Sequence, residues 1–169
     1  EYTRGHSHRV AEYSAILAAE LGWSQKEITN LKYAAYLHDI GKVGTPDTIL
    51  NKPTRLTEEE YAIVKNHTVI GAEILKNITL IDHVVEVARN HHERYDGLGY
   101  PDGLKGRAIP LHARIVALAD SYDAMRSKRI YRNALPPQTI YEEIKKKRGA
   151  QFDPELTDIF LRLLAENRM

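Results

Sequence analysis

Residues Ser24–Lys42 read SQKEITNLKYAAYLHDIGK, and this stretch decides the fold class. Ser24 followed three positions later by Glu27 is a capping box, in which each residue satisfies the other's backbone donor at a helix start. Ile28, Leu31 and Ala35 recur at helical spacing and lead onto His38. A polar imidazole therefore stands on the stripe that a helix turns toward the core. Asp39 follows at the helix end, and Gly41 reads as a natural terminator.

Helical signals dominate on both sides, with no convincing two-residue alternation. An Ala- and Leu-rich segment from about Ser7 to Leu21 stops at Gly22. Thr57 with Glu60 opens a helix expected to reach about Lys76, and Asp82 can cap a fourth that ends in His91 and His92. Leu111 to about Met125 forms a fifth. Pro136 and Pro137 introduce a sixth through Lys147, and Asp153-Pro154 starts a last one that ends near Asn167. The expectation is an all-α, compact single-domain bundle of about seven helices spanning 1–169. Between Asp96 and Pro110, five Gly or Pro residues (Gly97, Gly99, Pro101, Gly103, Gly106) mark a loop too long for a tight turn, which makes it a candidate functional loop.

The 169 residues carry no cysteine, eight histidines and a formal net charge of +1. Thiol nucleophiles, zinc-thiolate sites and iron-sulfur clusters are excluded, so any metal must be held by nitrogen and oxygen. No apolar run approaches the roughly 18 residues of a membrane span, so no membrane insertion is expected. The near-zero charge argues against a binder of polymeric nucleic acid. Nothing suggests secretion, and a cytoplasmic location is expected.

Other histidines stand on apolar stripes as His38 does. Val10, Tyr13 and Leu17 trace back to His6; Ile63, Ile70 and Ile74 share a face with His67; Val84, Val85 and Ala88 lead to His91 and His92. Asp120 interrupts the apolar run Ile115–Ala119, and an unpaired buried carboxylate is costly. One inward histidine is more often a hydrogen-bonded core residue than a ligand. Five of them on four helices, with Asp39 and Asp120, point instead to a metal such as Fe, Mn or Zn, and six or seven ligands exceed one tetrahedral site. His8 reads as surface, His83 and His112 as structural or exposed, and most of the ten tyrosines as core edges.

His38-Asp39-Ile40-Gly41-Lys42, His67, His91-His92-Glu93-Arg94, Gly99-Tyr100-Pro101, Asp120 and Asp123 together resemble the HD-GYP family of cyclic dinucleotide phosphodiesterases. The resemblance extends from Gly5-His6-Ser7-His8-Arg9-Val10 to Gly149-Ala150-Gln151-Phe152-Asp153-Pro154, nearly the whole chain. It implies an HD-type helical core with two divalent ions (Fe or Mn foremost, Ni or Zn as alternatives) that cleaves the 3′-5′ phosphodiester of cyclic di-GMP to pGpG, GMP or both. Asp39 would bridge the ions, His38 and Asp120 would serve one, and His67, His91 and His92 the other; His6 stands at the family's first histidine. The family's third-ion glutamate position holds Tyr2, which implies a binuclear site. The segment Asp123–Arg132 departs from the family's usual Leu-Thr-Ser and Arg-Pro-Tyr by an extra Arg126 and a missing proline, while Arg129 and Arg132 keep the positions that contact substrate.

Two metals about 3.5 to 4 Å apart supply a nucleophile at neutral pH and clamp the phosphate. Lys42 would lie beside that phosphate, and Asp123, one turn after Asp120, would orient the attacking water or hold Lys42. Tyr100 has two readings, a substrate contact or a plain loop anchor. The resemblance also assigns its loop a contact surface for other signalling domains, and a homodimer is compatible with it. Two other functions stand beside hydrolysis of cyclic di-GMP: a non-catalytic binding or interaction module, and a different HD-type reaction such as hydrolysis of another nucleotide. The chain begins almost on its first motif histidine, so a longer regulatory protein is an expectation too.

Overall fold

The structure is a computed structural model that describes residues 2–127 and 134–169. Its helices are α1 (Tyr2–Glu20), α2 (Gln25–Leu37), α3 (Asp47–Leu50), α4 (Glu58–Lys65), α5 (His67–Leu75), α6 (Val84–Asn90), α7 (Leu111–Arg126), α8 (Pro137–Lys146) and α9 (Pro154–Ala165). Short 3-10 turns occupy Ile40–Gly44 and Gly106–Ala108. No strand occurs among the described residues beyond an isolated bridge between Arg148 and Phe152. The all-α expectation is borne out.

The caps form as the sequence demands. Ser24 Oγ accepts from the Glu27 amide at 3.3 Å while the Ser24 amide donates to Glu27 Oε2 at 2.8 Å. Thr57 and Glu60 repeat the exchange at 3.2 and 2.8 Å. Asp153 accepts from the amides of Glu155 and Leu156 and so starts α9. Asp82 does not cap α6. It accepts instead from Asn30 Nδ2 at 2.7 Å, which ties that loop to α2, and His83 enters α6 in the left-handed region at φ 62°.

The helix opened by Thr57 differs from its expected course. It stops at Lys65 and restarts at His67; at the break the Asn66 amide is shared between the carbonyls of Ala62 and Ile63, and His67 Nδ1 lies 2.7 Å from the Val64 carbonyl oxygen. Ile63 and Ile74 are 43% and 47% exposed, and the inward face of α5 is His67, Thr68, Gly71, Ala72 and Leu75. His67 does point inward, but not on the stripe through Ile63 and Ile74.

Helix α1 packs against α2 and α7, α5 against α6, and α6 against α2 and α7. Leu17, Leu31, Ile115 and Leu118 fill the space between these helices, and α8 and α9 close one side with Ile144, Phe160 and Leu163, all fully buried. The turn after α2 crosses α5 so closely that a Cβ on Gly41 would overlap the His67 carbonyl oxygen and crowd the Gly71 amide. Gly41 was expected as a terminator. Its φ is not positive, and what requires glycine there is this crossing, which sets Asp39 beside His67. Overpacking typically costs about 1–3 kcal/mol. Gly41→Ala should therefore lower the unfolding free energy by about that amount in denaturant titration, and an unchanged midpoint would contradict the crossing.

Candidate metal centre

Five helices deliver polar side chains to one place. His6 comes from the first turns of α1, His38 and Asp39 from the end of α2, His67 from the start of α5, His91 and His92 from the end of α6, and Asp120 from α7. One ligand atom from each of Asp39, His67, His91 and His92 lies within 4.8 Å of the others, and the same holds for His6, His38 and Asp120. Asp39 faces both groups. Its Oδ1 lies 3.3 Å from His67 Nε2 and 3.8 Å from His91 Nε2, while its Oδ2 lies 3.3 Å from His38 Nε2.

The imidazoles are aimed from behind. Nδ1 of His38 is 2.6 Å from the Ala35 carbonyl oxygen, Nδ1 of His67 is 2.7 Å from that of Val64, and Nδ1 of His91 is 3.0 Å from that of Val87. A carbonyl only accepts, so each Nδ1 donates its proton and each Nε2 is left with a lone pair toward the centre. His67 Nε2 and His91 Nε2 then stand 3.4 Å apart. His38 Nε2 and Asp39 Oδ1 are buried without a hydrogen bond. Buried acceptors that face one another are costly unless a cation lies among them, so these residues fit a metal.

Electrostatics divide the imidazoles: burial opposes a charge on His38, yet the Asp39 carboxylate beside it prevails and raises its value, whereas His91 and His92 are held neutral. Burial works against the Asp39 charge, but the neighbouring imidazole charges and hydrogen bonds prevail and hold its carboxyl well below the usual range. Asp120 is lowered in the same way, against burial, by its hydrogen bond to His6 and the charges around it. Burial pushes His91 well down and brings His92 to about 4, which leaves both neutral. His6 is different. Burial opposes its charge, yet hydrogen bonds to Asp120 and Asp123 raise it to about 9.

Behind His6 lies a layer that the sequence reading missed. Asp123 is fully buried, accepts from His6 Nδ1 at 2.7 Å, and receives Arg9 Nε at 2.6 Å and Arg9 Nη2 at 3.0 Å. Arg9 follows His6 by three positions and so shares its face; that spacing was the available signal. The proposed pairing of Asp123 with Lys42 is not formed, because Lys42 Nζ binds Asp39 Oδ2 while Arg9 and His6 take up the Asp123 carboxylate. Arg126 contacts the hydroxyls of Tyr13 and Tyr122. Arg129 and Arg132 lie outside the described residues.

Glu93 was also missed. Buried directly after His92, it accepts from the amides of Asp102 at 2.7 Å and Leu104 at 3.0 Å and so pins the Gly-rich loop. A Cβ on Gly99 would overlap the backbone of His92 to Arg94, so only glycine lets the loop lie this close. Tyr100 consequently stacks on His92, with ring centroids 4.9 Å apart and planes at 27°. His8 is exposed beside the Tyr36 hydroxyl, and His83 and His112 stack on each other 3.8 Å apart, as surface and structural readings require.

Residues 1–156 match the sequence profile described as the HD domain. The chain belongs to the HD domain family. It is 47% identical over 166 residues to a cyclic di-GMP phosphodiesterase of Thermotoga maritima, with 97% of this chain and 45% of that protein covered. It is 41% identical over 161 residues to the 3′3′-cGAMP-specific phosphodiesterase 2 of Vibrio cholerae, with 94% and 31% covered. The fold of an HDG"Y"P protein from Bdellovibrio bacteriovorus superposes with a TM-score of 0.76 at 22% identity, covering 96% of this chain and 52% of that one. The chain spans less than half the length of the two phosphodiesterases. The HD-GYP resemblance of its motifs is borne out.

In the metal-free HD domain the raised His6 value has a defined sign. A group with an ordinary value of 6.5 raised to about 9 contributes stability that is complete below 6.5 and lost as pH rises through 9. The depressed His92, at about 4, acts oppositely, and its contribution is lost as pH falls from 6.5 toward 4. Thermal melts of chelator-treated protein should therefore show a melting temperature that falls between pH 6.5 and 9. His6→Asn should flatten that alkaline limb, and a flat limb in the wild type would contradict the His6 geometry.

Proposed function

We propose that this HD domain hydrolyses the 3′-5′ phosphodiester of cyclic di-GMP to pGpG, GMP or both, using two divalent ions. The observation that carries this reading is the Asp39 carboxylate, whose two oxygens face separate groups of imidazole and carboxylate donors. His6, His38 and Asp120 would hold one ion and His67, His91 and His92 the other, with Asp39 shared. Iron or manganese suits this nitrogen and oxygen set best, with nickel or zinc as alternatives. Bound there, the ions would lower the pKa of water and neutralise charge on the phosphate oxygens.

The chain's own residues supply the rest. The Lys42 ammonium, held at the edge of the centre by Asp39, stabilises negative charge that grows on the departing 3′ oxygen. Asp123, backed by Arg9, fixes His6 and through it the Asp120 side of the site. Tyr100 covers His92 and offers its ring to a guanine. Arg129 and Arg132 are assigned to the substrate by their motif positions. The Gly-rich loop exposes Leu98 at 78%, which suits the contact surface for other signalling domains, and a homodimer fits the same surface. Among the described residues no helix is long and apolar enough to cross a membrane. The proposed location of the reaction is the cytoplasm.

A second substrate, 3′3′-cGAMP, is supported by the Vibrio relative, which is named as specific for it. The test is product analysis of protein loaded with Mn or Fe(II) and given each cyclic dinucleotide. Cyclic di-GMP should yield pGpG or GMP. Lys42→Met should lower kcat by about 10²–10³-fold with metal content unchanged. Two ions per chain and tight cyclic di-GMP binding without product would instead identify a binding module.

A further inference from the structure

Helix α4 runs beside the centre, yet it has no buried side chain. Its aromatic Tyr61 is 47% exposed, so packing into the core is not what holds it in place. In its last turn, two residues before His67, Lys65 places its ammonium 5.1 Å from the Tyr61 ring centroid and 5.9 Å from that of Tyr100. Tyr61 and Tyr100 meet edge to face at 6.4 Å and 82°, and the other neighbour of Tyr100 is His92. The ammonium therefore stands one aromatic ring away from a proposed ligand.

Several cations around the loop and centre are already engaged, although Lys105 on the loop makes no ion pair among the described residues. Lys42 is bound to Asp39, Arg9 to Asp123, Arg94 to Asp96 and Arg89 to Asp102. Lys65 makes no ion pair among the described residues, and its charge lies over the rings of Tyr61 and Tyr100. Such faces attract a cation without occupying its three hydrogen-bond donors.

A cyclic dinucleotide carries two phosphates and two purines in one ring. If one phosphate is cleaved at the centre, the second keeps its full charge outside it. We propose that Lys65 binds this second phosphate and that Tyr61 supplies a face for the adjoining purine, so that α4 distinguishes a cyclic dinucleotide from a simple phosphodiester. The inference rests on the cyclic dinucleotide reading above. The plainer role of Lys65, a positive charge at a helix C-terminus, predicts no effect on substrate affinity.

The experiment compares wild type, Lys65→Met, Lys65→Arg and Tyr61→Leu, all manganese-loaded, on cyclic di-GMP and on bis(p-nitrophenyl) phosphate, which has one phosphate. Lys65→Met should raise KM for cyclic di-GMP about 10-fold or more with kcat within about twofold, since a hydrogen bond to a charged group is lost. Lys65→Arg should restore most of the affinity, Tyr61→Leu should raise KM by a smaller factor, and bis(p-nitrophenyl) phosphate kinetics and metal content should not change. An unchanged KM for cyclic di-GMP in Lys65→Met, an equal loss on both substrates, or a loss explained by lower metal content would overturn the proposal and leave the function intact. A wild type that cleaves bis(p-nitrophenyl) phosphate but no cyclic dinucleotide would overturn the functional reading itself, and this inference with it.

Discussion

The structure depends on one largely enclosed carboxylate. Asp39 sits among imidazoles with an oxygen toward each of two donor groups, where an uncompensated charge would be costly. Its place follows from the 3-10 turn after α2, which lies so near α5 that Gly41 leaves no room for a side chain. That crossing brings His67 to Oδ1, and His67 and His91 then face each other. The packing of α1 against α2 and α7, and of α6 against α2, α5 and α7, holds the remaining donors around it.

The parts of this that the sequence made legible are those governed by local periodicity and end chemistry. Capping boxes at Ser24 and Thr57 and the Asp153 cap depend on residues a few positions apart, and they formed as read. His38 on an apolar stripe was legible because α2 is unbroken. His67 was legible only in part: it points inward, but it shares its buried face with Thr68, Gly71, Ala72 and Leu75 and not with the exposed Ile63 and Ile74. Gly41 was understood locally, as a terminator, although the reason for it lies on α5. Arg9 and Glu93 were missed for a similar reason: their partners, Asp123 and the amides of the Gly-rich loop, are remote or on the backbone.

The division of labour among the polar residues follows from depth. The deepest imidazoles, His38, His67 and His91, anchor Nδ1 on carbonyls of the preceding helical turn. Those anchors aim the Nε2 lone pairs at the centre. His6 turns its Nδ1 to Asp123. It is tuned from behind by a carboxylate that an arginine neutralises, a second layer of the kind that orients and polarises metal-binding histidines. Nearer the surface, Lys42 and Lys65 flank the centre on different elements, one tied to a carboxylate and the other to aromatic rings.

The wide separation of the donors along the chain also orders the protein's maturation. His6, His38, His67, His91 and Asp120 come from five different helices, and no short segment contains a full donor group. In small metal-nucleated domains, binding energy is folding energy. A donor set scattered in this way would be assembled by the packing of the hydrophobic bundle, and metal acquisition would then be a late step, governed by which ion the surroundings supply once the chain is folded.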